Sequence, residues 1–201
     1  MSIAPSMRKP KIIAITGGIG SGKSVVSRIV SLLGFKVYDC DSRAKALVDR
    51  NRNLIERIAS EVCHEALNED YTLNRRVLAA CVFSDQEALN RLNTLVHSSV
   101  RDDIAHWAEM SCESVLFVET AILYQSRLHL MVDEVWDVQA PDEVRVTRVM
   151  ARNGISAEEV RLRIESQNFN PGDQRHESVT VILNDGIHAL LPQVLSALSR
   201  L

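Results

Sequence analysis

No apolar run in this 201-residue sequence approaches the length of a membrane span, although 46% of its residues are hydrophobic, so no spanning helix is predicted. Positive charge is not in excess. The 23 Lys and Arg against 26 Asp and Glu leave a formal net charge of −3, which gives no electrostatic case for nucleic acid or for an anionic membrane as partner. The four cysteines, Cys40, Cys63, Cys81 and Cys112, form no C-x-x-C pair, a pattern that suits reduced thiols in a cytoplasmic protein. Residues Met1 to Pro10 lack the apolar core of a signal peptide and carry Pro5 and Pro10; they read as a loose tail. There is no internal repeat and no low-complexity segment. The length suits one domain with a sizeable core.

Glycine is scarce, eight in all, and four of the eight stand in one stretch, Gly17-Gly18-Ile19-Gly20-Ser21-Gly22-Lys23-Ser24. This is the Walker A pattern, and its surroundings are those the pattern requires. Lys11 to Thr16 is a short apolar segment that reads as a buried parallel strand, and Val25 to Leu33 has apolar residues at helical spacing. Glycines let the backbone curl so that N–H groups turn inward toward phosphate oxygens. The helix that follows adds the positive end of its dipole. In such a loop the amides of Gly18, Ile19, Gly20, Ser21, Gly22, Lys23, Ser24 and Val25 would cradle the phosphates of ATP. Lys23 would reach the β and γ phosphates, and the Ser24 hydroxyl would ligate Mg²⁺.

Downstream, Gly34 is a plausible helix stop, and Phe35 to Tyr38 reads as a second strand ending in Asp39-Cys40-Asp41. In an extended segment, residues two apart share a face, so Asp39 and Asp41 are expected to point together from the C-terminal end of a strand, where ligands of open parallel sheets bind. A carboxylate there can accept a proton from an attacking hydroxyl; the bland alternative is that Asp41 or Ser42 only caps the next helix. From Ser42 to about Met110 the chain is glycine-poor and reads as helical. Ala44, Leu47, Val48, Leu54, Ile55 and Ile58 recur at helical spacing, another helix runs from about Arg75 to Val82, and Ser84 with Glu87 forms a capping box ahead of a long amphipathic helix. Within this insertion Arg75, Arg76, His97 and Arg101 are candidates to bind an anionic substrate, or else belong to a solvated helix face.

Ser114 to Glu119 reads as a third buried strand with a carboxylate at its end, the place of a second metal-side acid. Val132 to Val138 is a fourth strand, and a helix starting at Pro141 leads into an arginine-rich stretch, Arg145, Arg148, Arg152, Arg161 and Arg163. Ser156 with Glu159 is a second capping box, so two helices meet near Gly154. Inward guanidinium groups on such a hairpin would neutralise charge on a transferring phosphoryl group. Arg148 and Arg152, four apart, share a face. Val179 to Leu183 reads as the fifth strand, Asn184-Asp185-Gly186 as a turn whose backbone would border the adenine, and Ile187 to Leu201 as a closing helix.

Taken together, these residues resemble the dephospho-CoA kinases over nearly all of positions 11 to 187. The resemblance rests on Thr16 to Ser24, on Asp39-Cys40-Asp41 with Ala44 and Leu47, and on Leu73-Asn74-Arg75 running into Val82-Phe83. It also rests on Leu92 to His97, on Arg148 to Gly154 with Arg163, Ile164 and Gln167, and on Asn184-Asp185-Gly186. Departures include Val25 for a usual Thr, Ser98 for a Pro, Glu119-Thr120-Ala121-Ile122-Leu123 for Asp-x-Pro-Leu-Leu, Gln125 for a Glu, and Ser178-Val179 for Ala-Asp.

The resemblance implies an α/β P-loop NTPase fold of the nucleoside-monophosphate-kinase type. That is three α/β/α layers around a five-stranded parallel sheet, in one domain over 11–201 with its core in 11–42, 112–144 and 178–201. A helical CoA-side insertion would cover 43–111 and a helical lid 145–170. It implies transfer of the ATP γ-phosphoryl group to the ribose 3′-hydroxyl of dephospho-CoA, the last step of coenzyme A synthesis, in a cytoplasmic monomer or weak homo-oligomer. Catalytic roles would fall to Asp41, Lys23 and Arg148, and ATP contacts to Gly18–Val25, Arg148 and Asn184. Acceptor contacts would fall to Thr16, Asp39, Asp41, Arg75 and His97, and Mg²⁺ to Ser24 and Glu119. A nucleoside or nucleoside-monophosphate kinase shares the architecture, and a non-enzymatic nucleotide-binding regulator is a further alternative.

Overall fold

A computed structural model describes residues 9–167, 172 and 175–201. Most of the predicted tail (residues 1–8) and the end of the predicted lid (168–170) lie outside the described residues. By its internal contacts the chain forms two compact units, Met1–Tyr38 with Ser111–Leu201, and Asp39–Met110. No helix among the described residues is long and apolar enough to cross a membrane.

The first unit is built on a five-stranded sheet of order β2-β3-β1-β4-β5, with β1 Lys11–Thr16, β2 Lys36–Asp39, β3 Val115–Glu119, β4 Glu134–Gln139 and β5 Val179–Leu183. The pairs β1/β3, β1/β4 and β4/β5 are parallel. Parallel strands covered on both faces need apolar residues at successive positions rather than alternate ones, and Ile12 to Ile15 and Leu116 to Val118 are all buried. On one face Ile13, Ile15, Phe117, Trp136, Val138 and Ile182 pack with Val26 and Val30 of α1 (Lys23–Leu32) and with Val194 and Ala197 of α8 (Leu190–Leu198). Phe117 meets Phe35 and Trp136 edge-on at centroid distances of 5.5 and 5.0 Å. α8 starts three residues later than the apolar pattern predicts. Pro192 is the reason: lacking an N–H, it is accommodated in a first turn, where that group would have no intrahelical partner.

At the N-terminal edge of the sheet a buried carboxylate ties three strands together. Glu134 Oε2 accepts from Lys11 Nζ at 3.1 Å, and its Oε1 accepts from Trp136 Nε1 at 3.0 Å and Thr180 Oγ1 at 2.9 Å. Burial by itself would push this carboxyl up, but hydrogen bonds from Lys11, Thr180 and Trp136 outweigh it and hold the group below the ordinary carboxylate range.

The second unit is helical, comprising α2 (Cys40–Arg50), α3 (Arg52–Glu61), α4 (Arg75–Ser84) and α5 (Gln86–Glu109). Its core gathers Leu54, Ile58, Cys63, Ala66, Leu78 and Leu95. Each of the four helices is capped by the side chain of an Asp or Asn. Asp39 accepts from Asp41 N and Ser42 N, Asn51 from Leu54 N, Asn74 from Arg76 N and Val77 N, and Asp85 from Glu87 N and Ala88 N. These caps correct the sequence reading at three points. The helical pattern through residues 44–58 is broken at Asn51, which is extended and satisfies an amide of α3 instead of continuing α2. The box predicted at Ser84 and Glu87 is displaced by one residue. Ser84 ends α4 with its hydroxyl on the carbonyls of Ala80 and Cys81, and Asp85 does the capping. Finally, β2 stops at Asp39, so Asp41 lies in the first turn of a helix rather than beside Asp39 on a strand.

Two outcomes follow from these contacts. Asp85→Ala should lower stability by about 1 kcal/mol while Ser84→Ala changes it by less than about half of that, as read from urea denaturation midpoints. A carboxyl whose pKa is depressed by folding contributes stability above its unfolded pKa, and that contribution is lost as pH falls through its folded value. Glu134→Gln should therefore cost roughly 1–2 kcal/mol at pH 7, with the gap to the wild type narrowing below about pH 4. Parallel gaps at both pH values would contradict the assignment.

Candidate active site

The loop between β1 and α1 occupies residues 17–22, and its shape follows from what touches it. Gly22 caps α1 in a left-handed conformation, φ +99°, and a Cβ there would strike Asn184 Nδ2. Only glycine meets both demands. Gly18 faces the Arg145 guanidinium so closely that a Cβ would overlap it. The loop's carbonyls are then held from outside. Lys23 Nζ donates to Gly18 O at 3.4 Å, Arg145 Nε to Ile19 O at 2.9 Å, Arg148 Nη1 to Gly20 O at 3.5 Å and Asn184 Nδ2 to Ser21 O at 2.7 Å. With carbonyls directed at cations and amides, the loop's remaining amides are turned the other way, as an anion nest requires.

Some amides of the predicted cradle are already committed. Ile19 N donates to Gln167 Oε1 at 2.7 Å, Ser21 N to Gly18 O at 3.2 Å and Val25 N to Gly22 O at 3.0 Å. Gly18, Gly20, Gly22 and Ser24 supply further amides, and Ser24 stands in the first turn of α1, where an amide has no intrahelical acceptor. The Ser21 hydroxyl is buried with no partner among the described residues. These features fit a phosphate group.

The donors suited to a hard cation lie beside the loop. Ser24 Oγ donates to Glu119 Oε1 at 2.8 Å, and Glu119, half-buried at the end of β3, is in register with Ile15 of β1. A hydroxyl and a carboxylate in contact form an oxygen set of the kind Mg²⁺ takes together with water and phosphate oxygens.

The helices α6 (Asp142–Asn153) and α7 (Ala157–Gln167) form the hairpin predicted as a lid. Gly154 ends α6 with φ +66°, and the Ser156–Glu159 box is formed in both directions. Of the five arginines, two reach the loop. Arg148 is fixed by Asn184, donating to its main-chain oxygen at 3.0 Å and to its Oδ1 at 3.2 Å. Arg145, weighted below Arg148 in the sequence, is the more enclosed partner, with 12% of its side chain exposed and a bond to Asp142. Arg152, Arg161 and Arg163 are exposed, and Arg152 bonds the adjacent Asn153. Asn184 has a partner on every polar group: besides these contacts, its N–H donates to Gln139 O at 2.8 Å. It supports the loop and Arg148, a role the sequence reading, which set its backbone beside a base, does not contain.

Thr16, the last residue of β1, is in register with Asp137. Both line a cavity of about 360 Å³ together with Gly18, Tyr124, Gln167 and Arg175. Asp137 and Tyr124 are absent from the sequence-derived site. Asp137 is a carboxylate near the C-terminal end of a parallel strand, the same signal that singled out Glu119.

The candidate acceptor residues of the second unit divide. Asp39 uses both carboxylate oxygens on its own helix, Oδ1 for the Asp41 and Ser42 amides and Oδ2 for the Ser42 hydroxyl at 2.6 Å. Asp41 is exposed. Arg75 pairs with Asp49 at 2.6 Å. His97 is half-buried, and burial first, then the charge of Arg101, lowers its pKa. Both causes favour its neutral form, which can donate and accept hydrogen bonds.

Comparison with known proteins agrees with this geometry. The dephospho-CoA kinase family model matches residues 11–189. A dephospho-CoA kinase of Porphyromonas gingivalis is 42% identical over 183 residues, 90% of each chain. A crystal structure from Thermus thermophilus superposes with a TM-score of 0.78 at 34% identity, covering 96% of this chain and 98% of that one. A dephospho-CoA kinase from Campylobacter jejuni, 24% identical with a TM-score of 0.66 over 94% and 96% of the two chains, shares the fold. With a family-model match across most of its length and a relative 42% identical over 90% of each chain, this chain belongs to the dephospho-CoA kinase family.

Proposed function

We propose that this protein transfers the γ-phosphoryl group of ATP to the ribose 3′-hydroxyl of dephospho-CoA, giving coenzyme A. The observation that carries the proposal is the convergence on one glycine loop of Lys23, Arg148 and the Ser24–Glu119 pair, in a chain of this family.

In this reading the amides of Gly18, Gly20, Gly22, Lys23 and Ser24 hold the nucleotide phosphates. Lys23 and Arg148 exchange their loop carbonyls for oxygens of the transferring group and stabilise the charge that spreads over it. Ser24 and Glu119 hold Mg²⁺, directly or through water, and the ion when bound screens the β and γ oxygens. Thr16 contacts the acceptor. Asp41 takes the proton of the attacking hydroxyl as that oxygen bonds to the γ phosphorus and the bond to the ADP oxygen breaks. Asp39 positions Asp41 by fixing the first turn of α2. Arg75 and the neutral His97 contribute hydrogen bonds to the acceptor. The cysteine pattern, without a C-x-x-C pair, supports a cytoplasmic enzyme, which we take to act as a monomer or weak homo-oligomer.

A coupled assay of ADP release should respond to dephospho-CoA and not to nucleosides or nucleoside monophosphates; turnover only with the latter would replace this reading by a nucleoside or nucleotide kinase. Phosphoryl transfer depends chiefly on positioning and electrostatics. Lys23→Ala should thus lower kcat/KM by about 10³-fold and Asp41→Asn by about 10²-fold, measured in the same assay. An equal or larger loss from Asp41→Asn would contradict the ordering.

A further inference from the structure

One residue of the phosphate loop also belongs to the hairpin. The Ile19 side chain packs on the cluster that holds α6 and α7 together, Val146, Val149, Val160 and Ile164. Its carbonyl accepts from Arg145 of α6 at 2.9 Å, and its N–H donates to Gln167, the last residue of α7, at 2.7 Å. Because the partner is an N–H donor, the Gln167 atom facing it is the amide oxygen. The two hydrogen bonds come from opposite arms of the hairpin and meet on a single residue flanked by glycines, where the main chain has the most freedom to lose.

We propose that Gln167 is a positioning residue for the nucleotide: by binding the Ile19 amide it fixes the phosphate loop in its receptive shape before ATP arrives. This deepens the proposed kinase reading and rests on it. Ordering that is complete in the free protein does not have to be supplied by the ligand, so it appears as affinity. The opposite role is also physically definite. If the nucleotide itself needed the Ile19 amide, Gln167 would be a competitor, and removing it would tighten binding.

The sign of the effect decides. Gln167→Met keeps the length and bulk of the side chain without its acceptor; Gln167→Ala removes both. ADP with Mg²⁺ is titrated calorimetrically into the wild type and each variant, and kcat and KM for ATP are measured alongside thermal melting. Both variants should bind ADP about tenfold more weakly, the effect of one lost hydrogen bond. KM for ATP should rise in step, kcat should change by less than about threefold, and the melting temperature should stay within about 2 °C of the wild type. Unchanged or tighter ADP binding by both variants overturns the proposal. So does weakening confined to Gln167→Ala, which would assign the effect to packing. Wild-type protein that binds no nucleotide would instead overturn the kinase reading beneath it.

Discussion

A stretch with four glycines in six positions is the least constrained main chain in the molecule, and a phosphate cradle requires it to be among the most constrained. The conflict is resolved by binding the loop's carbonyl oxygens. Arg145, Arg148, Lys23 and Asn184 each donate to a different carbonyl between Gly18 and Ser21. Fixing one side of each peptide fixes the other side too, so the direction of the amides is set by the donors that hold the carbonyls. The same glycines that free the backbone also let these donors come close, as at Gly18 and Gly22, where a Cβ would collide with them.

The loop therefore depends on segments far away in the chain. Asn184 reaches it from a position 163 residues on, Arg148 from 128 and Gln167 from 148. Asn184 is the junction. It receives Arg148, donates to Ser21 and is itself held by the end of β4 through Gln139. Charge placement is economical in the same way. Cations that would face phosphate rest on neutral carbonyls, and the Glu119 carboxylate rests on a hydroxyl. The site thus holds its charged groups in hydrogen bonds weak enough to be exchanged for a ligand's.

What could be read from the sequence was whatever is local. The strand, loop and helix around Gly17–Ser24 follow from adjacent residues, and so do β5, the Ser156–Glu159 box and the acid at the end of β3. The errors also arose locally. Asp85 lies next to Ser84 and is an equally good helix cap, so the spacing alone does not choose between them. Asn51 interrupts an apolar spacing that by itself continues, and Asp39 ends its strand short of the predicted end at Asp41 by turning to cap α2. Long-range partnerships left no mark in any window of sequence. An arginine-rich helix did not disclose that Arg145 lies under the loop while Arg161 and Arg163 are exposed. Nor did the sequence of the hairpin disclose that Gln167 meets Ile19. Burial was the other missing quantity: it pushes the His97 pKa down, which no window of sequence announces.

The place of β1 in the sheet carries a consequence for biosynthesis. It is the first strand made, yet it is central, and the residues that complete its edges arrive late: Lys11 finds Glu134 only after 123 further positions. The helical segment from Asp39 to Met110, a compact unit of its own, emerges from the ribosome during that interval. Closing so long a loop is slow compared with forming contacts of short range. A largely apolar strand thus lacks its partners while the segment between them is being translated, and this early segment is the one most in need of a chaperone.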